Sequence, residues 1–376
     1  MDFDLKKITA SFKKIQSQIL HPVKSVVGID IGSSAIKIVQ VKKEAGRAVL
    51  ETYGSIALGS YAGKEVGEVT NLPPEKIAEA LAVVLKESGA TTREASVAVS
   101  STLGLIVLVE LPSAVRPSEF NSVVPTEARK FIPVPISEVV LDWFVVPKRE
   151  TVYEEEGEEA KTEEEMGPTE VLVVAIPKDS LARLQGVSEN AGLLNVEYEH
   201  EIFSHIRSNL THEISPVLVL DCGASKTRLA IIERGIVKVF HSINRGGGDI
   251  TAALVRGLGL AWQKAEETKK TEGLMSKDKN IVDSILLGVD YILGETSNVV
   301  FNFQKKYNKN ITKVILSGGG ASLPGFLEKT QEVLRIETVL SSAFNKTESP
   351  AFLAKTLEKS SPEFSVAIGL ALKKLV

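Results

Sequence analysis

The chain is poor in sulfur and in indole: of 376 residues, one is cysteine, three are methionine and two are tryptophan. A lone cysteine, Cys222, closes no intramolecular disulfide and builds no cysteine-based metal cluster, so a reducing compartment is expected. Long hydrophobic runs are missing as well. The longest, at 103–111 and 171–177, fall well short of the roughly 20 residues a helix needs to cross a bilayer, and they read as buried strands. Residues 1–20 hold neither a continuous apolar stretch nor a small-residue cleavage site, which argues against a secretory signal and for the cytoplasm. Nor does charge of one sign dominate. With 44 Lys and Arg against 48 Asp and Glu the net charge is -4, and nucleic acid is demoted as the main partner because neutralising phosphates takes clustered cations. What remains, 43% hydrophobic and 24% charged, is the balance of a globular chain long enough to bury two cores.

Phe3, Ile8, Phe12, Ile15 and Ile19 recur at three- to five-residue steps and would share one face of a helix that His21-Pro22 ends. Two readings stay open for it: a surface that meets a membrane or a partner, or a helix packed on its own domain. From Val26 onward strand-like and helix-like stretches alternate, with strands at 26–30, 36–41, 49–56 and 95–99 and a helix over 74–88. Pro73-Pro74-Glu75 suits a helix start, with a fixed φ and an acid at the positive end, and Gly89 should stop it. A second unit at 105–193 has an order of its own: strand 105–110, helix 118–129, strands 139–146 and 171–176, helix 178–191. It reads as a small inserted α+β module. Its stretch 150–170 is dense in glutamate with few apolar side chains, and reads as a solvated hairpin loop or, alternatively, a regulatory or partner-binding one.

An internal repeat is the most informative feature. Residues 28–41 are echoed by residues 218–232, each copy being a strand, the pattern Asp-x-Gly-x-Ser, and a second strand. The first copy has Asp30, Gly32, Ser33 and Ser34; the second has Asp221, Gly223 and Ser225. Such a pattern suits a hairpin turn in which glycine permits positive φ and close approach, serine adds a donor, and successive N–H groups form an anion nest. An acid beside bare phosphates is unfavourable, but with a divalent cation between them it is favourable, and Mg2+ takes one or two carboxylates plus phosphate oxygens, mostly through water. Asp30 and Asp221 are therefore expected on either side of a magnesium–nucleotide cleft. Lys37, seven residues after Asp30, could reach the outer phosphates as a point charge.

The two turns resemble the first and second phosphate loops of the actin, hexokinase and heat-shock chaperone superfamily. That resemblance implies an α/β, two-lobed actin-like ATPase fold: duplicated ribonuclease-H-like domains with a small inserted α+β subdomain in the first lobe. The stretch 316–325, with Gly318, Gly319 and Gly320 after a strand at 313–316, is similar to the superfamily's adenosine motif, where glycines let the base lie on bare backbone. Arg245-Gly246-Gly247-Gly248-Asp249-Ile250-Thr251 and the helical stretch with Ala265, Glu266 and Lys269 resemble segments of the division protein FtsA and its relatives. By that resemblance Glu266 would meet the ribose and Lys269 the adenine, one helical turn apart. ATP and Mg2+ are the implied cofactors.

The opening 27–41, Leu111-Pro112, the stretch 128–133, the segment 318–325 and the closing 367–372 resemble the PilM family of type IV pilus assembly proteins almost residue for residue. FtsA usually ends in a membrane-targeting helix, which this chain does not show after Lys373. The family implies an extension at 1–25, a first lobe at 26–103, the inserted subdomain at 104–193, a return at 194–215, and a second lobe at 216–376 with a helical part near 250–300. It also implies an adaptor at the cytoplasmic face of the inner membrane, which closes on ATP and seats the cytoplasmic N-terminal tail of PilN in a groove formed with the inserted module. Other inner-membrane pilus assembly proteins are further expected partners, and self-association is left open. No residue for hydrolysis can be named from spacing. A working ATPase and an FtsA-like filament former are the alternatives.

Overall fold

The computed structural model describes residues 25–147, 168–211 and 213–375. The expected N-terminal amphipathic helix, and the acidic stretch up to residue 167, lie outside them.

Two sheets carry one topology twice. In the first lobe β1 (Ser25–Ile31), β2 (Ala35–Glu44) and β3 (Arg47–Ala57) form an antiparallel meander, and β4 (Glu94–Val99) and β8 (Leu194–His200) extend it in parallel from β1, giving the order β3-β2-β1-β4-β8. The second lobe repeats this with β9 (Val217–Cys222), β10 (Thr227–Glu233), β11 (Ile236–Ile243), β12 (Lys313–Ser317) and β13 (Glu337–Leu340), in the order β11-β10-β9-β12-β13. The central strands β1, β4 and β9 are covered on both faces, which is why they read as continuous apolar runs rather than alternating ones.

Helices cover both faces of the first sheet. α1 (Pro74–Glu87) begins as its prolines suggest, with Pro73 as the capping residue and Glu75 in the first turn, and Gly89 follows at φ 71°. It buries Leu81, Val84 and Leu85 against Ile29, Ile38 and Val97. Each such fully buried aliphatic side chain contributes about 1.5–3 kcal/mol. The opposite face, with Val26, Val39 and Val41, is covered by α9 (Ala354–Lys373), the last helix of the chain, through Phe364, Ala367 and Ile368. α4 (Glu201–Asn209) makes the reverse crossing and places Ile202 against Val217 and Val219 of the second lobe. The far face of the second sheet packs on α5 (Gly247–Leu258) and α7 (Lys279–Tyr307), with α6 (Trp262–Thr271) between them in sequence and α8 (Phe326–Leu334) leading to β13.

The inserted module lies between β4 and β8. Its antiparallel sheet, β5 (Leu105–Leu111), β7 (Thr169–Pro177) and β6 (Val139–Val145), packs on α2 (Phe120–Ala128) through Val109, Val124, Ala128 and Val173. Lys238–Glu170 and Lys306–Glu110 ion pairs join it to the second lobe. The helix expected inside the module, α3 (Lys178–Asn190), packs elsewhere: Val187, Ala191 and Leu193 belong to the first-lobe core with Leu81 and Val84. The module's compact part thus ends with β7, earlier than residue 193, because the apolar face of α3 matches that of α1 rather than the small sheet.

Candidate functional site

The two Asp-x-Gly-x-Ser turns have the same backbone. Gly32 N–H donates to the Ala35 carbonyl and Gly223 N–H to the Lys226 carbonyl, both at 3.0 Å. Neither glycine adopts positive φ, contrary to the expectation from turn chemistry. Room is what they supply: a Cβ on either would stand 2.9 Å from the carbonyl that its own N–H meets. The turns come from strands at the centres of the two sheets, and they face each other, with Ser33 Oγ donating to Ser225 Oγ at 3.1 Å across 192 residues of sequence. Ser34 and Ser33 also hold the first-lobe loop in place: the Ser34 carbonyl accepts from Leu58 N–H, and the Ser33 carbonyl from the Thr70 N–H and hydroxyl.

The antiparallel ladders set a cation opposite each acid. Asp30 pairs directly with Lys37, and Asp221 with Arg228. Directly opposed residues share a face of the sheet. Arg228 was not singled out by motif, yet it is the Lys37 of the second copy, seven residues after the aspartate, and the repeat contains the signal for it. Around it stand two further residues that no sequence spacing marked, Glu201 and His205 of α4. Arg228 reaches Asp221 Oδ2 at 3.2 Å and Glu201 Oε1 at 2.9 Å, and its Nη2 donates to Ser100 Oγ at 3.1 Å. His205 Nε2 lies 3.6 Å from Asp221 Oδ2. Ser101 donates to Glu201 through both its N–H and its hydroxyl.

The two acids differ in consequence. Burial pushes the Asp30 carboxyl above its usual pKa, with only Lys37 and Arg228 opposing. Burial acts on Asp221 in the same way, but His205, Arg228 and Lys37 outweigh it and hold that carboxyl well below the usual range. His205 shows the reciprocal effect: burial disfavours its charge, Asp221 outweighs burial, and its pKa rises. Cys222 has no reactive thiolate, because burial raises its pKa far above neutrality.

The second lobe closes round its turn with glycine-rich backbone. Gly247 and Gly248, in the first turn of α5, donate to the Gly223 and Ala224 carbonyls at 2.9 and 2.8 Å, and a Cβ on Gly246 would sit 2.5 Å from the latter oxygen. Gly318, at φ 78°, leaves no room for a side chain either, since its Cβ would be 2.4 Å from Asp221 Oδ1. Gly320 abuts Cys222, whereas Gly319 faces open space. Glu266 and Lys269 do share a face of α6, and they are tied to each other at 2.6 Å. Lys269 also donates to the Gly247 carbonyl and Thr251 Oγ1, and Thr251 to Glu266. Lys269 holds Glu266 ionised against the effect of burial. The pair thus braces α6 against the start of α5, and its carboxylate lies against Gly67 of the first lobe.

Between the lobes lies a cleft of about 400 Å³ lined by Lys64, Glu68 and Val69 on one side and Ser225, Gly248, Asp249 and Trp262 on the other. Trp262 Nε1 donates across it to the Val66 carbonyl at 3.2 Å. A divalent cation fits the first turn and not the second. Among the described residues Asp30 takes part in no hydrogen bond or ion pair, while Asp221, expected to share the cation, has Arg228 and His205 on one oxygen and Gly318 against the other. One free carboxylate is within the one or two that Mg2+ uses beside phosphates.

The family described as Type IV pilus assembly protein PilM matches residues 28–375. Among solved structures, the chain is similar to that of a PilM–PilN type IV pilus biogenesis complex, with a TM-score of 0.76 and 24% identity over 93% of this chain and 98% of that one. It is also similar to the ethanolamine utilization protein EutJ from Carboxydothermus hydrogenoformans, with a TM-score of 0.50 and 16% identity over 94% of this chain and 90% of that one. The likeness is one of fold, the two-lobed actin-like ATPase fold. Among the described residues no helix is long and apolar enough to cross a membrane.

Proposed function

The chain belongs to the Type IV pilus assembly protein PilM family, and on that premise we propose that it is a nucleotide-binding adaptor of pilus assembly. ATP occupies the cleft between the turns, the lobes close on it, and the cytoplasmic tail of the inner-membrane protein PilN docks in a groove beside the inserted module. The observation that carries the nucleotide part is the Ser33–Ser225 contact, which brings two turns of one design face to face at the mouth of each sheet. Two such turns offer donors to a chain of phosphates from both sides. Asp30 is the group to hold Mg2+ through water, which would neutralise phosphate charge, and Lys37 adds a point charge beside it. Gly319 leaves bare backbone for a base. Glu266 and Lys269 would contact the nucleoside only by giving up part of their mutual bracing.

The PilN part is supported by the related complex, which contains both proteins, and by the module's position, bridged to the second lobe through Lys238 and Lys306. A module that touches both lobes can report their closure to an extended peptide with apolar anchors. Contact with the inner membrane then comes through PilN and other assembly proteins. Calorimetric titration of Mg-ATP into the full chain and an Asp30→Ala variant, with and without a synthetic PilN tail, tests the whole reading. ATP should bind the parent, bind the variant at least about tenfold less tightly, and shift the affinity for the tail. Absence of ATP binding to the parent would reduce the protein to a peptide-binding adaptor, and equal tail affinity after replacement of the module would remove the PilN assignment.

A further inference from the structure

The acids and cations at the two turns are unevenly shared, and Arg228 is the cause. Lys37, its counterpart, ends 3.8 Å from Glu363, a carboxylate 42% exposed. Arg228 meets three partners at once, in a region where its own side chain is 16% exposed and that of Glu201 6%. Only Asp221 belongs to its own sheet. Ser100 follows β4 and Glu201 follows β8, so two of the three contacts cross to the first lobe. A guanidinium suits this place, since the two terminal nitrogens of its fork donate to Asp221 and Ser100 while its permanent charge lies beside Glu201.

We propose that Arg228 is a resident counter-cation between the lobes: it takes the place at Asp221 that a divalent metal would otherwise take, and through Glu201 and Ser100 it ties the two lobes together. The role toward metal rests on the nucleotide reading, while the tie between lobes does not. Among the described residues no three His, Cys, Asp or Glu side chains are arranged to hold a metal, and Arg228 stands between two of the candidates. Removing it leaves Asp221 and Glu201 without the cation they share, His205 remaining beside Asp221, and leaves Asp30 close enough for both acids to act on it. That arrangement invites a cation from solution. Arg228 is on this account a positioning residue.

Thermal unfolding of the full chain without nucleotide, in the presence and absence of MgCl2, separates this from an ordinary stabilising ion pair. The parent Tm should not respond to Mg2+ beyond the response to NaCl of equal ionic strength. Arg228→Gln should melt several degrees lower and recover at least half of the loss with Mg2+ but not with NaCl. Arg228→Lys, which keeps the charge and loses the fork, should fall between them, and it carries the test if the glutamine variant does not fold. A parent that gains as much from Mg2+ as the variants, or variants that gain nothing, overturns the proposal. Titration of ATP in Mg2+ and in chelator adds the nucleotide arm: chelation should weaken binding by about tenfold or more in the parent, as Asp30→Ala does, and by a clearly larger factor in Arg228→Lys. If ATP binds neither protein in either buffer, the nucleotide reading fails, and the Mg2+-dependence of unfolding alone decides the role of Arg228.

Discussion

At the first turn a single aspartate faces one lysine across the ladder, and that lysine leans toward a half-exposed glutamate. At the second, the same backbone carries an aspartate gripped by a histidine and an arginine, and the arginine reaches over to the other lobe. The strands, the turn hydrogen bond and the seven-residue offset of the cation are shared. Both copies have a helix against them, but α9 brings the first a half-exposed Glu363, whereas α4 brings the second the buried Glu201 and His205. Duplication therefore gave two turns with one geometry and two electrostatic states, one acid without an ion pair among the described residues and one already satisfied by the protein.

The sharpest way to break this comparison is to exchange the fates of the two cations. Arg228→Ala leaves Asp221 and Glu201 buried without the cation they share and should lower stability by about 3–5 kcal/mol, whereas Lys37→Ala, next to a part-exposed pair, should cost under about 1 kcal/mol. Equal losses in a chemical-denaturation series would mean the two turns are electrostatically alike after all. Nearly as large is the effect expected at Gly318, which covers Asp221. Alanine there meets both a backbone conformation that side chains rarely adopt and the Asp221 carboxylate, and should cost about 2–4 kcal/mol. Gly319→Ala, with nothing within 4 Å, should stay within about 0.5 kcal/mol of the parent by the same measurement.

Acid provides a comparable test of α4, the helix that makes the second turn different. His200 caps it, accepting from Ile202 N–H, and burial against Phe203 and Phe240 pushes its pKa down to about 4. An unfolded histidine titrates near 6.5, so between these values the unfolded chain binds a proton that the folded chain refuses. The stability present above pH ~6.5 should therefore fall by about 3 kcal/mol as pH drops toward 4. His205 acts with the opposite sign: its raised pKa favours the folded state at low pH, and that contribution disappears as pH rises through its folded value. His200→Asn keeps a capping acceptor and removes only the first effect, so its Tm should flatten across that range while the parent's declines. A smaller change than that of His200 is expected at Ser33→Ala. Losing the part-buried hydroxyl pair should cost about 0.5–1.5 kcal/mol in stability and, if the turns cradle phosphates, a larger loss in ATP affinity.

Much of the fold was legible because its signals are local. Prolines at 73 and 74 and glycine at 89 bound α1, and apolar runs marked β1, β4, β9 and β12. The repeat itself revealed the duplication of sheets. The assignment of α3 to the inserted module was the exception, since an amphipathic helix states that it has an apolar face and not which neighbour will cover it.

For the site, sequence by itself determined the two turns, the aspartate that ends each leading strand, and the cation seven residues on, because a hairpin of fixed length places those residues opposite each other whatever surrounds them. Tertiary structure alone decided that Ser33 meets Ser225, that Glu201 and His205 converge on the second turn, and that Arg228 joins the lobes. Those contacts link residues for which no strand or helix period sets a spacing. They follow from the way α4 and α9 cross between two separately built sheets, and from the close packing those crossings impose.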